Sequence, residues 1–185
     1  MLKCLNAKMK RGFTLIELMV AVTFFALVIG SATGLFISAV RSQAKALVVQ
    51  KLLDESSYVI EYMSRALRMA QKDTDGMTCL TAVGSGYNYE VNATGDSIKF
   101  INYQDICQKF YLDNYQLKEN KGGILELTSN KLKISSLQFH LSGAAQTDSL
   151  QPRATISMTI RKAGVTGPGI KIQTTISQRN LDIQQ

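Results

Sequence analysis

Between Phe13 and Val40 the chain carries a single ionisable side chain, Glu17, in a run otherwise built from Leu, Met, Val, Ala, Phe and Ile with a few Gly, Ser and Thr. Roughly 20 apolar residues suffice for a helix to cross the hydrocarbon core of a bilayer, so this run is long enough to span. Lys3, Lys8, Lys10 and Arg11 lie just before it. A block of positive charge holds its side of a span in the cytoplasm, which predicts an inside N-terminus and an outside bulk. A secretory signal peptide shares this charge order, but its apolar core is only about 7 to 15 residues and closes on an A-x-A-like site. The core here is longer and no such site closes it. Glu17 is the anomaly, because a carboxylate in hydrocarbon costs roughly 2.5 kcal/mol or more and is kept where a partner neutralises it. No cation within the span can do so.

The residues Gly12-Phe13-Thr14-Leu15-Ile16-Glu17, followed by an apolar helix, resemble the N-terminal signature of type IV pilins and of the pseudopilins of type II secretion. The resemblance covers residues 10–40, and beyond residue 41 it rests on architecture. It implies cleavage between Gly12 and Phe13 by a prepilin peptidase, with methylation of the new amine of Phe13. It also implies that the Glu17 carboxylate pairs with the N-terminal amine of a neighbouring subunit during assembly at an inner-membrane platform. The rival reading of Glu17 is local: it lies near the interface and is solvated there.

Gly30-Ser31-Ala32-Thr33-Gly34 places two glycines four apart in the span. Small residues at this spacing let membrane helices approach closely; alternatively, the glycines soften the helix. Both readings stand. The second half of the span lacks the proline that many members of the family carry there.

The chain has 185 residues, which fits one domain plus an anchor. Removing residues 1–12 with their four cations lowers the formal net charge from +7 to +3. The basic character is therefore mostly a property of the leader, and no nucleic-acid partner is expected. From residue 41 the sequence turns polar but keeps a helical period, with Ala44, Val48, Leu52, Val59, Met63, Ala66 and Ala70 on one stripe. One helix from Phe13 to about Lys72 follows, stopped by Asp73-Thr74-Asp75-Gly76.

After residue 77 the texture changes to short β-branched and aromatic runs at 87–91, 97–103, 109–112 and 124–128. A turn signal stands at Asn120-Lys121-Gly122-Gly123. Later runs alternate strictly: Leu137, Phe139, Leu141; then Ile156, Met158, Ile160; then Ile170, Ile172, Thr174, Ile176. Such alternation predicts a sheet with one buried and one wet face, and the helix stripe is its natural cover.

Cys4 would leave with the leader, so Cys79 and Cys107 remain on the non-cytoplasmic side. An even count there favours a disulfide over two separate buried thiols. His140, the single histidine, falls opposite Phe139 and Leu141 on the wet face. The acids of the head are scattered, with no phosphate loop, nucleophile elbow or metal-ligand spacing. No enzyme, cofactor or metal is expected.

The reading is an α+β protein with four segments: leader 1–12, transmembrane and polymerisation helix 13–40, amphipathic continuation 41–76, and a mostly antiparallel β head at 77–185. The resemblance implies a bacterial inner-membrane, single-pass subunit of a type IV pilus or type II secretion filament, with its head in the periplasm or at the cell surface. The many short strands and the strand-like tail 174–180 resemble minor pilins or minor pseudopilins of the J type. Its partners would be the prepilin peptidase, other pilin or pseudopilin subunits, the assembly platform and the membrane. The alternative is a membrane-tethered binding protein with an uncleaved anchor.

Overall fold

The computed structural model describes residues 12–76, 78–144, 150–164 and 169–179. A single α-helix, α1, runs Leu15–Arg68, and eight strands follow it: β1 Glu90–Val91, β2 Ser97–Ile101, β3 Cys107–Asp113, β4 Gln116–Asn120, β5 Ile124–Glu126, β6 Leu132–Ser142, β7 Arg153–Lys162 and β8 Ile170–Ser177. The strands make two antiparallel sheets rather than one, a five-stranded meander β1-β2-β3-β4-β5 and a three-stranded meander β6-β7-β8. The fold is α+β. Two compact units divide at Leu47/Val48, inside α1.

In the first unit the helix is exposed along its whole length, with large apolar side chains such as Phe24, Leu27, Leu35 and Phe36 all at least 65% exposed. In the second unit α1 buries Ser56, Val59, Met63 and Leu67. These positions recur at three and four residues, the spacing that keeps side chains on one helix face. Val59, Met63 and Leu67 join Ile98, Phe100, Phe110, Leu117, Ile134, Leu137, Ile156 and Met158 in one core. The expected stripe meets this core at Val59, Met63 and, just past the end of α1, Ala70, with Leu52 and Ala66 packed against its rim; Ala44 is exposed, and Leu67 and Ser56 also belong to the buried face. Phe100 and Phe110 stack in the centre with ring centroids 5.6 Å apart.

The helix ends four residues earlier than its period suggests, because the chain leaves it for the sheet. The Gln71 N–H donates to Ile101 O at 2.8 Å and the Asp73 N–H to Tyr87 O at 2.8 Å. Those backbone groups satisfy the sheet edge instead of another helical turn. Strand β6 contains a bulge between Ile134 and Ser136. One extra residue reverses the side-chain parity. Leu132 and Ile134 before it and Leu137 and Phe139 after it therefore all point into the core.

Cys79 and Cys107 form a disulfide, Cα atoms 5.4 Å apart, tying the loop after α1 to the start of β3.

Candidate functional site: the apolar N-terminal helix

Thr14 precedes α1 and acts as its N-cap. Its carbonyl accepts the Leu18 N–H at 3.2 Å, and its Oγ1 accepts the Glu17 N–H at 3.4 Å. Glu17 therefore stands three residues after the cap, in the first helical turn. A Thr-x-x-Glu pattern is a capping-box sequence, and a carboxylate here faces the positive end of the helix dipole. The Thr14–Glu17 spacing is the sequence signal of this local role, which the apolar run and the resemblance do not reveal. Gly12 and Phe13 lie ahead of the cap in irregular, exposed backbone, Phe13 being 83% exposed. A peptide bond in that conformation is open to a protease.

The polar residues within the run are satisfied by the helix itself. Thr23 Oγ1 donates to Val20 O at 2.8 Å, Ser31 Oγ to Val28 O at 2.9 Å and Thr33 Oγ1 to Ile29 O at 2.8 Å. Hydroxyls tied back in this way carry little cost into an apolar medium. By length and composition α1 can cross a membrane. At Gly30 and Gly34 an added Cβ would meet no atom within 4 Å in the single chain. Their lack of a side chain is thus not required by anything packed against them here.

The remaining candidates lie in the second unit. Cys79 and Cys107 are paired, as described. His140 is exposed on the outer face of β6. Among the described residues no three of His, Cys, Asp and Glu come together in a metal-binding group. A cleft of about 350 Å³ lies between α1 and the chain after β5, lined by Asp54, Glu55, Tyr58, Leu127, Thr128 and Ser129. The Ser129 hydroxyl donates to Glu55 Oε2 at 2.9 Å, a bond that ties those two segments together.

A further carboxylate is engaged structurally. Asp73 Oδ1 accepts the N–H groups of Asp75 and Gly76, and Oδ2 that of Leu80. Burial works against its ionisation, but the N–H groups of Leu80, Gly76, Asp75 and Cys79 outweigh burial and hold its carboxyl below the usual range.

Residues 7–33 match the family model described as the prokaryotic N-terminal methylation motif. The motif supports the type IV pilin and pseudopilin family, and with the long apolar helix beside it fits an inner-membrane anchor. Neither the curated proteins nor the solved structures gave a match.

Proposed function

We propose, starting from a chain that carries the methylation motif of pilin-like proteins, that it is a minor pilin or pseudopilin subunit of a type IV pilus-like filament. Its role in this reading is structural: α1 is the polymerisation element and the β-rich unit is the presented head. The observation that carries the proposal is the continuity of the motif with a capped helix whose apolar first part, up to Leu47, is exposed and whose first turn holds Glu17.

Processing would cut between Gly12 and Phe13, and the freed amine of Phe13, methylated or not, stays positive. A neighbouring subunit's amine would meet the Glu17 carboxylate and offset the cost of placing it in an apolar environment. Gly30 and Gly34 would let a neighbouring helix approach, consistent with the open space beside them. The disulfide fits a head outside the cytoplasm, where such bonds persist.

The test is the intact mass and N-terminal fragmentation of the protein from cells co-expressing a prepilin peptidase, followed by assembly of Glu17→Ala. The expected result is a chain beginning at methylated Phe13, and a Glu17→Ala variant that is processed but does not enter filaments. A chain still beginning at Met1 would overturn the filament reading in favour of a tethered binding protein.

A further inference from the structure

Charge in the second unit is unevenly placed. Residues 127–179 contain seven Lys and Arg and one acid, Asp148. In sequence that acid falls between β6 and β7, outside the described residues, while the β7–β8 connection at 163–169 carries no charge.

The register gathers cations at the opposite end of the three-stranded sheet. Lys133 pairs directly with Arg161, and Lys171 pairs with Thr159, two residues before Arg161 on the same face. Lys131 and Lys162 flank them, and all five are exposed. Among the described residues none of these five forms a salt bridge, whereas Lys99 and Lys118 of the other sheet are paired with carboxylates. The rest of this outer face is Ser, Thr and Gln with His140 and, at the far end, Arg153, and it has no large apolar side chain.

An aromatic ring stands at the same corner. Asn114 and Tyr115 form the two-residue β3–β4 turn, both with positive φ, 50° and 62°. This turn favours Asn-Gly, and the second position is costly for a bulky side chain. A tyrosine is nevertheless held there, 56% exposed, with the Lys133 ammonium 5.2 Å from its ring centroid. The nearest acid in sequence, Asp113, is neutralised by Lys118 at 2.9 Å. A strained, exposed ring beside unpaired cations fits a ligand that offers both a flat π-face and spaced negative charge.

We propose that the corner formed by Tyr115, Lys133, Arg161 and Lys171 binds a single-stranded nucleic acid, with a base stacked on Tyr115 and phosphates on the three cations. Stacking on an aromatic ring beside a basic track is how such strands are held without sequence preference. A lipid surface would gain little from a polar face with no large apolar side chain to insert, and an acidic polysaccharide offers no aromatic face. The low net charge of residues 13–185 is no objection, since the charge that matters is local. The inference stands independently of the filament reading.

The experiment is fluorescence anisotropy of a labelled oligothymidylate with the full chain in neutral detergent, across a salt series. The cations before Phe13 are common to every variant compared. The triple variant Lys133→Gln, Arg161→Gln, Lys171→Gln is expected to bind more weakly and to flatten the log–log salt dependence by roughly 2, about 0.7 per phosphate released. Tyr115→Ala is expected to lose about tenfold in affinity, while Tyr115→Phe retains it. Arg153→Gln, at the far end of the same face, changes little. Unchanged thermal midpoints show that every variant is folded. Parental affinity in the triple variant, or in Tyr115→Ala, overturns the proposal. So does a parent that binds phosphatidylglycerol vesicles but not the oligonucleotide.

Discussion

The Tyr62 hydroxyl, on α1, lies 3.0 Å from both carboxylate oxygens of Glu119 on β4. Glu119 is only 3% exposed, and its other partner is the Gln108 side-chain amide, itself held by Asn102 at 3.0 Å. The carboxylate is thus supported by neutral donors alone among its hydrogen bonds. Helix and sheet are joined here by a polar contact inside an otherwise apolar core.

Burial, then the hydrogen bond and charge of Glu119, push the Tyr62 hydroxyl from its ordinary value of about 10 up to about 12. The folded state therefore holds this proton where the unfolded chain has released it. Stability from this contact is complete below pH about 10 and declines as pH rises toward about 12. We predict that Tyr62→Phe costs about 1.5 to 3 kcal/mol at neutral pH, by leaving a buried carboxylate one donor short. It should also make unfolding less sensitive to pH above 10. Urea unfolding at several pH values, with phenolate absorbance followed in parallel, checks both.

Asp73 behaves oppositely in sign. Its carboxyl is held below the usual range, so its contribution is present above the ordinary aspartate value and is lost as pH falls through the folded one. Asp73→Ala should destabilise by about 3 kcal/mol, because the donors of Asp75, Gly76 and Leu80 lose their acceptor together. The loop cannot easily rearrange: Gly76 has φ 64°, and a Cβ there would collide with the backbone nitrogen of Ser85. Asp73→Asn, keeping one acceptor oxygen, should cost less and weaken the acid dependence. Thermal midpoints between neutral and acid pH distinguish the two variants.

The legible parts of this fold are those where apolar period and chain geometry agree. The apolar run, the helix face around Val59 and Met63, and the alternation of β7 need no tertiary information. Strand β4 is different: Gln116-Leu117-Lys118-Glu119-Asn120 has one apolar residue, and its second inward position is the carboxylate that Tyr62 satisfies. Nothing local says that an acid points inward, so Glu119 reads as a surface charge. The start of β6 is hidden by its bulge, which shifts the phase between Ile134 and Leu137. Of the expected strand 87–91, only Glu90 and Val91 pair as β1. The Tyr87 carbonyl is taken by Asp73, and the Tyr89 hydroxyl donates to Leu67 O at 2.6 Å. At the N-terminus the motif was plain, whereas the capping geometry of Glu17 needed the helix start to be placed.

The disulfide closes a sequence separation of 28 residues. In the chain-entropy account a loop of that size stabilises by about 3 to 4 kcal/mol. The double variant Cys79→Ser, Cys107→Ser should lower the denaturant midpoint by a corresponding amount, and reductant should do the same to the parent but not to the variant. Because Cys107 opens β3, the region protected less against amide exchange should include the β2–β3 pairing at Ile101 and Cys107.

Tyr115→Gly tests the cost of the turn itself. Left-handed backbone costs an L-residue with a side chain roughly 1 to 2 kcal/mol, while glycine enters it freely and loses somewhat more backbone entropy. At φ 62° the first effect exceeds the second, and the exposed ring gives up little burial in exchange. The variant should therefore be more stable than the parent by about 0.5 to 1 kcal/mol, read from the urea midpoint at unchanged slope. Tyr115→Ala, which keeps a Cβ in the same backbone, should show none of that gain. A more stable glycine variant that has lost oligonucleotide affinity would mean that the tyrosine is kept at this position against the preference of the fold.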